Sequence, residues 1–206
     1  MAGIPAWASQ AIIGAGRRMD ARGWVPATAG NLSVRLPDGL IAITCSGFHK
    51  GHLEPDGVML VDGNGLPLTP GARPSAETGL HCQVYQAIPA AGAVLHGHSV
   101  PATVLSMLLR DSRITLAGYE LLKAFEGQAT HDAAVDVPVF DNDQDIPRLA
   151  HVIAPHLPGC HAGYLIRGHG VYVWGPDMDT ALARLEGLEF LLACELAREH
   201  ERGRHP

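Results

Sequence analysis

Apolar side chains recur every three to four residues at both ends of the chain. In residues 5–22, Ile12, Ala15 and Met19 follow this spacing, and in residues 179–202 a series of leucines does so. Because an α-helix has about 3.6 residues per turn, this spacing places the apolar side chains on one face. The pattern predicts an amphipathic helix at each end, packed with one face against a core.

Between these helices, short apolar or alternating runs are separated by turn-forming residues. Alternation with a period of two is typical of a strand with one buried face, and short continuous apolar runs are typical of fully buried strands. The predicted strands are 31–36, 40–45, 58–61, 92–98, 135–140 and two within 163–174, and the further predicted helices are 75–88, 100–109, 119–127 and 145–157. Together they predict an α/β or α+β layered domain in which helices cover a central sheet.

Composition narrows the class of protein. The chain has 206 residues, of which 47% are hydrophobic and 17% charged, with 24 glycines and 15 prolines. These values are typical of one compact, loop-rich domain, which we assign to residues 1–206. The net charge of −6 argues against nucleic acid as a partner, because nucleic-acid binding depends on neutralising phosphates with cationic side chains.

The cysteines and the N-terminal residues indicate the cellular compartment of the protein. Cys45, Cys82, Cys160 and Cys194 are scattered and form no C-x-x-C pair, which predicts reduced thiols rather than disulfides or a cysteine zinc site. The first 18 residues carry their basic pair after the apolar run and contain polar residues within it, unlike a signal peptide or a membrane span. We therefore expect a cytoplasmic protein without a membrane partner.

The segment A-V-L-H-G-H-S-V, residues 93–100, places two histidines two positions apart at the end of an apolar run. In a strand, residues i and i+2 point to the same face, so His96 and His98 can approach one metal ion together. His169 lies between two glycines in R-G-H-G-V, which suits a turn that carries one functional group into a cleft. The three imidazoles match a catalytic zinc site with an open coordination position, although an H-x-H pair alone is also compatible with ordinary core histidines.

Three further segments combine small or hydroxyl residues with turns or helix starts. They are T-A-G-N-L-S at 28–33, C-S-G at 45–47 and R-P-S-A-E at 73–77. Free backbone N–H groups gather at such places and bind anions, so the three segments together predict a phosphate pocket. Glu77 and Glu120 are the candidates for acid–base chemistry, with a solvated surface pair of Glu120 and Lys123 as the alternative for the second.

The motifs G-N-L-S-V-R, S-G-F-H-K, S-A-E-T-G-L-H, H-G-H-S and R-G-H-G-V-Y-V-W-G, in this order, resemble the class II aldolase/adducin superfamily over nearly the whole chain. This resemblance implies a three-layer αβα fold, with a central, mostly antiparallel sheet covered by helices on both faces. It also implies a small sugar-phosphate substrate and a homo-oligomer, commonly a tetramer, with active sites near subunit boundaries. The H-x-H-S motif, followed by the glutamate of Y-E-L-L-K, is more similar to the dehydratases of the superfamily than to its aldolases.

Residue roles follow from the same resemblance. The implied ligands of one zinc ion per subunit are His96, His98 and His169, and the implied general acid/base is Glu120. The residues at positions where family members bind phosphate are Asn31, Ser46, Gly47 and Ser75.

The reaction itself is left open between three related chemistries. Dehydration, aldol cleavage and epimerisation of a ketose phosphate all begin by stabilising negative charge next to the carbonyl. In the aldolases of the superfamily a glutamate near the position of Glu77 acts as base or metal ligand, so the segment S-A-E keeps aldol cleavage open and makes Glu77 a second catalytic candidate. A non-catalytic module resembling the adducin head is the remote alternative, and such a module has no need of three converging histidines.

Overall fold

The computed structural model describes residues 3–202, and a single eight-stranded sheet runs through this part of the chain. The strands are β1 (Asn31–Arg35), β2 (Ile41–Thr44), β3 (Val58–Val61), β4 (Ala93–Gly97), β5 (Arg113–Ala117), β6 (Ala134–Phe140), β7 (Tyr164–Ile166) and β8 (Gly170–Gly175). Their order across the sheet is β3-β2-β1-β4-β8-β7-β6-β5. All neighbours are antiparallel except β6 and β7, which confirms the mostly antiparallel sheet.

Five α-helices cover the two faces of the sheet. They are α1 (Ala6–Ala21), α2 (Thr78–Ala87), α3 (Val100–Leu108), α4 (Ile146–Ile153) and α5 (Met178–Arg202). The buried residues of α1, α3 and α5 belong to one apolar cluster, and those of α2 and α4 belong to a second. The sheet therefore lies between two helix layers, as the three-layer prediction requires.

Alternation along the central strands assigns side chains to these two faces. In β4, Leu95 joins the cluster under α1 and α5, whereas Val94 joins the cluster under α2 and α4. His96 stacks on Tyr172 of the latter cluster, so it faces the α2 layer. The period of two thus places an imidazole from the middle of the sheet beside the start of α2.

Several local predictions differ from the structure. Strand β5 was not predicted, because its alternating pattern R-I-T-L-A is short and has only two buried residues. The predicted helix 119–127 is a 3₁₀ turn over Glu120–Ala124. The predicted helix 145–157 divides into α4 and a 3₁₀ segment, Ala154–Gly159, in which two prolines withhold backbone donors.

The helix predicted from residue 75 begins later. Glu77 occupies the N-cap position of α2, and Ser75 Oγ instead accepts a hydrogen bond from the Glu77 backbone N–H at 3.3 Å. This places the Glu77 side chain at the point where the chain enters the helix. Over residues 3–202, no helix is both long and apolar enough to cross a membrane.

Candidate metal centre and substrate cavity

Three imidazoles meet at one end of the central strands. His96 is in β4, His98 follows that strand directly, and His169 lies in the turn between β7 and β8. The ring centroids are 4.5 Å apart for His96 and His98, 5.1 Å for His96 and His169, and 4.8 Å for His98 and His169. One nitrogen from each ring lies within 4.8 Å of the other two. The structure therefore brings together the three histidines that the sequence singles out.

The glycines around His169 allow this approach. Gly168 has a positive φ of 64°, which closes the turn in a conformation that other residues rarely adopt. A Cβ added to Gly170 would collide with the carbonyl oxygen of Gly97 and would lie 3.0 Å from the His96 ring. Only a glycine at 170 lets β8 come this close to the end of β4.

Hydrogen bonds on the far side of two rings fix which nitrogen faces the centre. His96 Nδ1 lies 3.0 Å from the carbonyl oxygen of Val171, and His169 Nδ1 lies 3.3 Å from Oδ1 of Asn142. Both oxygens can only accept, so each ring donates from Nδ1 and, when neutral, carries its lone pair on Nε2. This arrangement is typical of histidines that bind a metal through Nε2.

Glu77 faces the same two nitrogens. Its Oε2 lies 3.2 Å from His96 Nε2, and its Oε1 lies 3.0 Å from His169 Nε2. Burial by itself would raise the pKa of Glu77, but attraction to His96 and hydrogen bonds with His169 and His96 outweigh it and hold the pKa well below its usual range. Glu77 is therefore a carboxylate at any physiological pH.

The donor set fits a divalent cation. Two Nε2 atoms whose lone pairs point at a carboxylate repel it unless a proton or a metal ion lies between them, and His96 Nε2 is a buried atom that lies 3.2 Å from Oε2 of Glu77. Burial, together with His96 and His169 nearby, lowers the pKa of His98 to about 3, so this ring stays neutral, the form that binds metal. Three imidazoles and one carboxylate are ligands of the kind that Zn²⁺ accepts.

A cavity of about 290 Å³ opens next to the three histidines. It is lined by His98 and Glu77 and by all four residues predicted at phosphate-binding positions, Asn31, Ser46, Gly47 and Ser75. The side-chain amide of Asn31 is oriented so that its nitrogen donates to Glu77 Oε2 at 3.0 Å and its oxygen accepts from Ser75 Oγ at 3.0 Å. In this structure Asn31 thus contacts the carboxylate and not only the cavity.

Glu120 is not part of this cluster. It is 72% exposed, and Oε1 lies 2.5 Å from Nζ of Lys123. Glu120 follows the end of β5, where Ala117 pairs with Ala134, the first residue of β6. The last residue of β6, Phe140, pairs with β7 next to the turn that carries His169. At about 3.3 Å per residue the two ends of β6 are about 20 Å apart, and β5 is four strands away from β4, or about 19 Å at the usual strand spacing. Glu120 therefore cannot reach the histidines of its own chain.

Three residues at the site were missed by sequence reasoning. Tyr172 stacks on His96 with ring centroids 4.1 Å apart, Asn142 orients His169, and the buried Lys50 lines the cavity. Lys50 and Tyr172 lie within quoted motifs, S-G-F-H-K and R-G-H-G-V-Y-V-W-G, and Lys50 is also one of just two lysines in the chain. Asn142 left no such signal, because it reaches His169 from a loop 27 residues away in sequence.

The three-layer fold and the cluster of three histidines beside an anion-binding cavity are features of the class II aldolase fold, and comparison with known proteins assigns the chain to the same class. A sequence profile described as "Class II Aldolase and Adducin N-terminal domain" matches residues 10–196. The chain belongs to this family of class II aldolases and adducins. Among solved structures it is similar to L-fuculose-1-phosphate aldolase from Thermus thermophilus, with 29% identity and a TM-score of 0.78 over 96% of this chain and 97% of the other. A similar fold is found in YgbL from Klebsiella pneumoniae, with 27% identity and a TM-score of 0.81 over 93% of this chain and 89% of the other.

More similar relatives share one name. A protein of Gluconacetobacter diazotrophicus named methylthioribulose-1-phosphate dehydratase is 68% identical over 193 residues, 94% of either chain. Proteins with the same name are 66% identical in Gluconobacter oxydans, over 93% of this chain and 92% of that one, and 56% identical in Pseudomonas paraeruginosa, over 91% and 93%.

Proposed function

We propose that the chain is a methylthioribulose-1-phosphate dehydratase, a zinc-dependent hydro-lyase of methionine salvage that works in the cytoplasm as a homotetramer. It would convert 5-methylthioribulose 1-phosphate to 2,3-diketo-5-methylthiopentyl 1-phosphate. The observation that carries the proposal is the meeting of three imidazoles and an ionised glutamate beside a cavity lined by anion-binding loops. The shared name of relatives that match nearly the whole chain selects dehydration among the reactions of the family.

The chemistry requires loss of a proton from carbon 3 and of the hydroxyl from carbon 4, followed by tautomerisation of the enol to the diketone. A zinc ion held by His96, His98 and His169 would polarise the substrate carbonyl as a Lewis acid. Glu77 lies against His96 and His169 and is held by Asn31, so it is placed to accept the carbon 3 proton as a general base. The loops that carry Ser46 and Gly47 would bind the phosphate through their hydroxyl and backbone N–H groups.

Glu120 enters the proposal as the acid that protonates the departing hydroxyl, and it would do so in another subunit. Its distance from the histidines of its own chain leaves no role within one subunit, while its exposure leaves it free to meet a neighbour. The superfamily resemblance, which implies active sites near subunit boundaries, supports this arrangement. Glu120→Gln should keep zinc and reduce turnover by about 100-fold, in the range expected for loss of a general acid.

Mixed oligomers test the arrangement between subunits. A Glu120→Gln subunit keeps its histidines, and a His96→Ala subunit keeps Glu120, so unfolding and refolding an equal mixture should restore activity that neither variant has alone. Refolding each variant by itself is the control. Inactive mixed oligomers would show that Glu120 does not act across a boundary, and undiminished activity of Glu120→Gln would remove it from the mechanism.

The reaction class is tested by substrate. The zinc-loaded protein should dehydrate 5-methylthioribulose 1-phosphate and leave fuculose 1-phosphate and ribulose 5-phosphate unchanged. Aldol cleavage is the second candidate, favoured by the contact of Glu77 with both His96 and His169, and release of dihydroxyacetone phosphate from fuculose 1-phosphate would establish it in place of dehydration. His96→Ala should lose metal and activity together, and a variant that retains stoichiometric zinc would contradict the assigned ligands.

A further inference from the structure

Lys50 is a buried cation directly behind the substrate cavity. Its side chain is 2% exposed, and it lies in the 3₁₀ turn Lys50–His52 that packs against α1. A Cβ added to Gly16 of α1 would collide with the carbonyl oxygen of Lys50, so the helix and the turn meet backbone to backbone. This close packing fixes the position of the turn and directs the lysine inward.

The ammonium joins the two loops that form the cavity. Lys50 Nζ donates to the carbonyl oxygen of Thr28 and to that of Phe48, each at 2.7 Å. Thr28 begins the loop that leads to Asn31, and Phe48 directly follows Ser46 and Gly47. One cation therefore holds together two segments that come from different parts of the chain.

The charges around the cavity give this cation a second consequence. Among the described residues that line the cavity, Lys50 alone is lysine or arginine, and Glu77 is the one carboxylate. A phosphate dianion entering the cavity is repelled by Glu77, so its binding depends on positive charge nearby. Burial lowers the pKa of Lys50 to about 8, with attraction to Cys45 and Glu77 acting in the opposite direction, and the side chain remains largely protonated at neutral pH.

We infer that Lys50 is the positioning residue of the phosphate subsite, which clamps the Thr28 and Phe48 loops into one anion cradle and supplies the positive charge that selects a phosphate dianion. It acts through the loops, whose hydroxyl and N–H groups make the direct contacts. The inference rests on the proposed function to the extent that the substrate is a phosphate ester. It further implies that affinity for the phosphate group, more than the chemical step, depends on this side chain.

Lys50→Met tests the inference, because methionine keeps an unbranched side chain and removes both the charge and the donors. Arg17→Met is the matched control, since it removes one positive charge from a side chain that is 60% exposed on α1. Zinc content and circular dichroism should match the wild type in both variants. Titration calorimetry with inorganic phosphate should show an affinity at least about 10-fold lower for Lys50→Met and unchanged for Arg17→Met. With the phosphorylated substrate, KM should rise more than kcat falls.

A measurement on the wild-type protein covers the case in which Lys50→Met does not fold. The chain has two lysines, so lysine labelled with ¹³C at Cε gives two signals. Inorganic phosphate should shift the signal of Lys50, because a bound dianion raises its pKa, and Lys123→Arg, which leaves Lys50 as the single lysine, assigns that signal. Lack of a shift, absence of phosphate binding by the wild type, or wild-type phosphate affinity in Lys50→Met would each overturn the inference. Phosphate binding that depends on Lys50 in a protein that does not dehydrate methylthioribulose 1-phosphate would instead refute the proposed function alone.

Discussion

Replacement of Glu189 by glutamine should change how the stability of the fold depends on pH. Glu189 lies on α5 with 3% of its surface exposed, and both of its carboxyl oxygens are buried without a hydrogen-bond partner near Ser99, the N-cap of α3. Burial raises the pKa of Glu189 from 4.5 to about 7, and the nearby Ser99 hydroxyl offsets only part of this rise. The folded protein thus keeps a proton on Glu189 that the unfolded chain releases.

The sign and size of the effect follow from linkage. Because the pKa is higher in the folded state than in the unfolded state, the wild type is relatively most stable below about pH 4.5 and loses stability as the pH rises to about 7. At about 1.4 kcal/mol per pKa unit, the loss amounts to roughly 3 kcal/mol above neutrality. Glutamine resembles the protonated acid and does not titrate, so Glu189→Gln should lack this loss. For a chain of this size, 3 kcal/mol corresponds to roughly 6–12 °C in Tm.

Urea unfolding of both proteins in the presence of a chelator, at a series of pH values from about 4 to 8.5, measures the difference. Removing metal from both samples keeps metal binding from contributing to the comparison. The two curves should nearly coincide at the acidic end and diverge by roughly 3 kcal/mol at the alkaline end, with Glu189→Gln the more stable. Parallel curves would refute the reasoning, since they would mean that the folded state accommodates the carboxylate as well as water does.

Three further substitutions have defined outcomes. Asn142→Ala removes the acceptor of His169 Nδ1 and should lower zinc affinity by about 10- to 100-fold in a competition titration with a chromophoric chelator; unchanged affinity would mean that Asn142 does not orient the ring. Gly170→Ala places a Cβ against Gly97 and should lower both Tm and zinc content, whereas an intact metal site would show that β8 can move aside. Asp145→Ala removes the side chain that caps α4 through the Arg148 N–H at 3.0 Å, and should cost about 1 kcal/mol in urea unfolding without affecting zinc content.

Strand periodicity explains why the convergence of the three histidines could be predicted in part from the sequence. His96 and His98 share a face because residues two apart in an extended chain do so in any sheet. The glycines beside His169 indicated a tight turn for the same local reason. Neither argument needed knowledge of which strands are neighbours, and the three rings do meet in the structure.

Strand pairing and loop packing decided the rest. The sequence predicts Glu120 as a general acid/base, and the order of the strands puts it at the far edge of the sheet from the three histidines. Glu77 looked like the weaker candidate, yet the entry into α2 places it against His96 and His169. In both cases the sequence indicated the kind of side chain, and only the topology determined its distance to the three histidines.

The amino-acid sequence by itself determined most of the helices and strands, the face shared by His96 and His98, and the family to which the chain belongs. The tertiary structure alone decided that Lys50 joins two loops, that Asn31 holds Glu77, and that Glu120 is remote from the histidines of its own chain. The physical reason is the range of the interactions. Periodicity and turn preferences act over a few residues, whereas the position of a buried cation or a carboxylate depends on contacts between segments far apart in the chain, which no local pattern specifies.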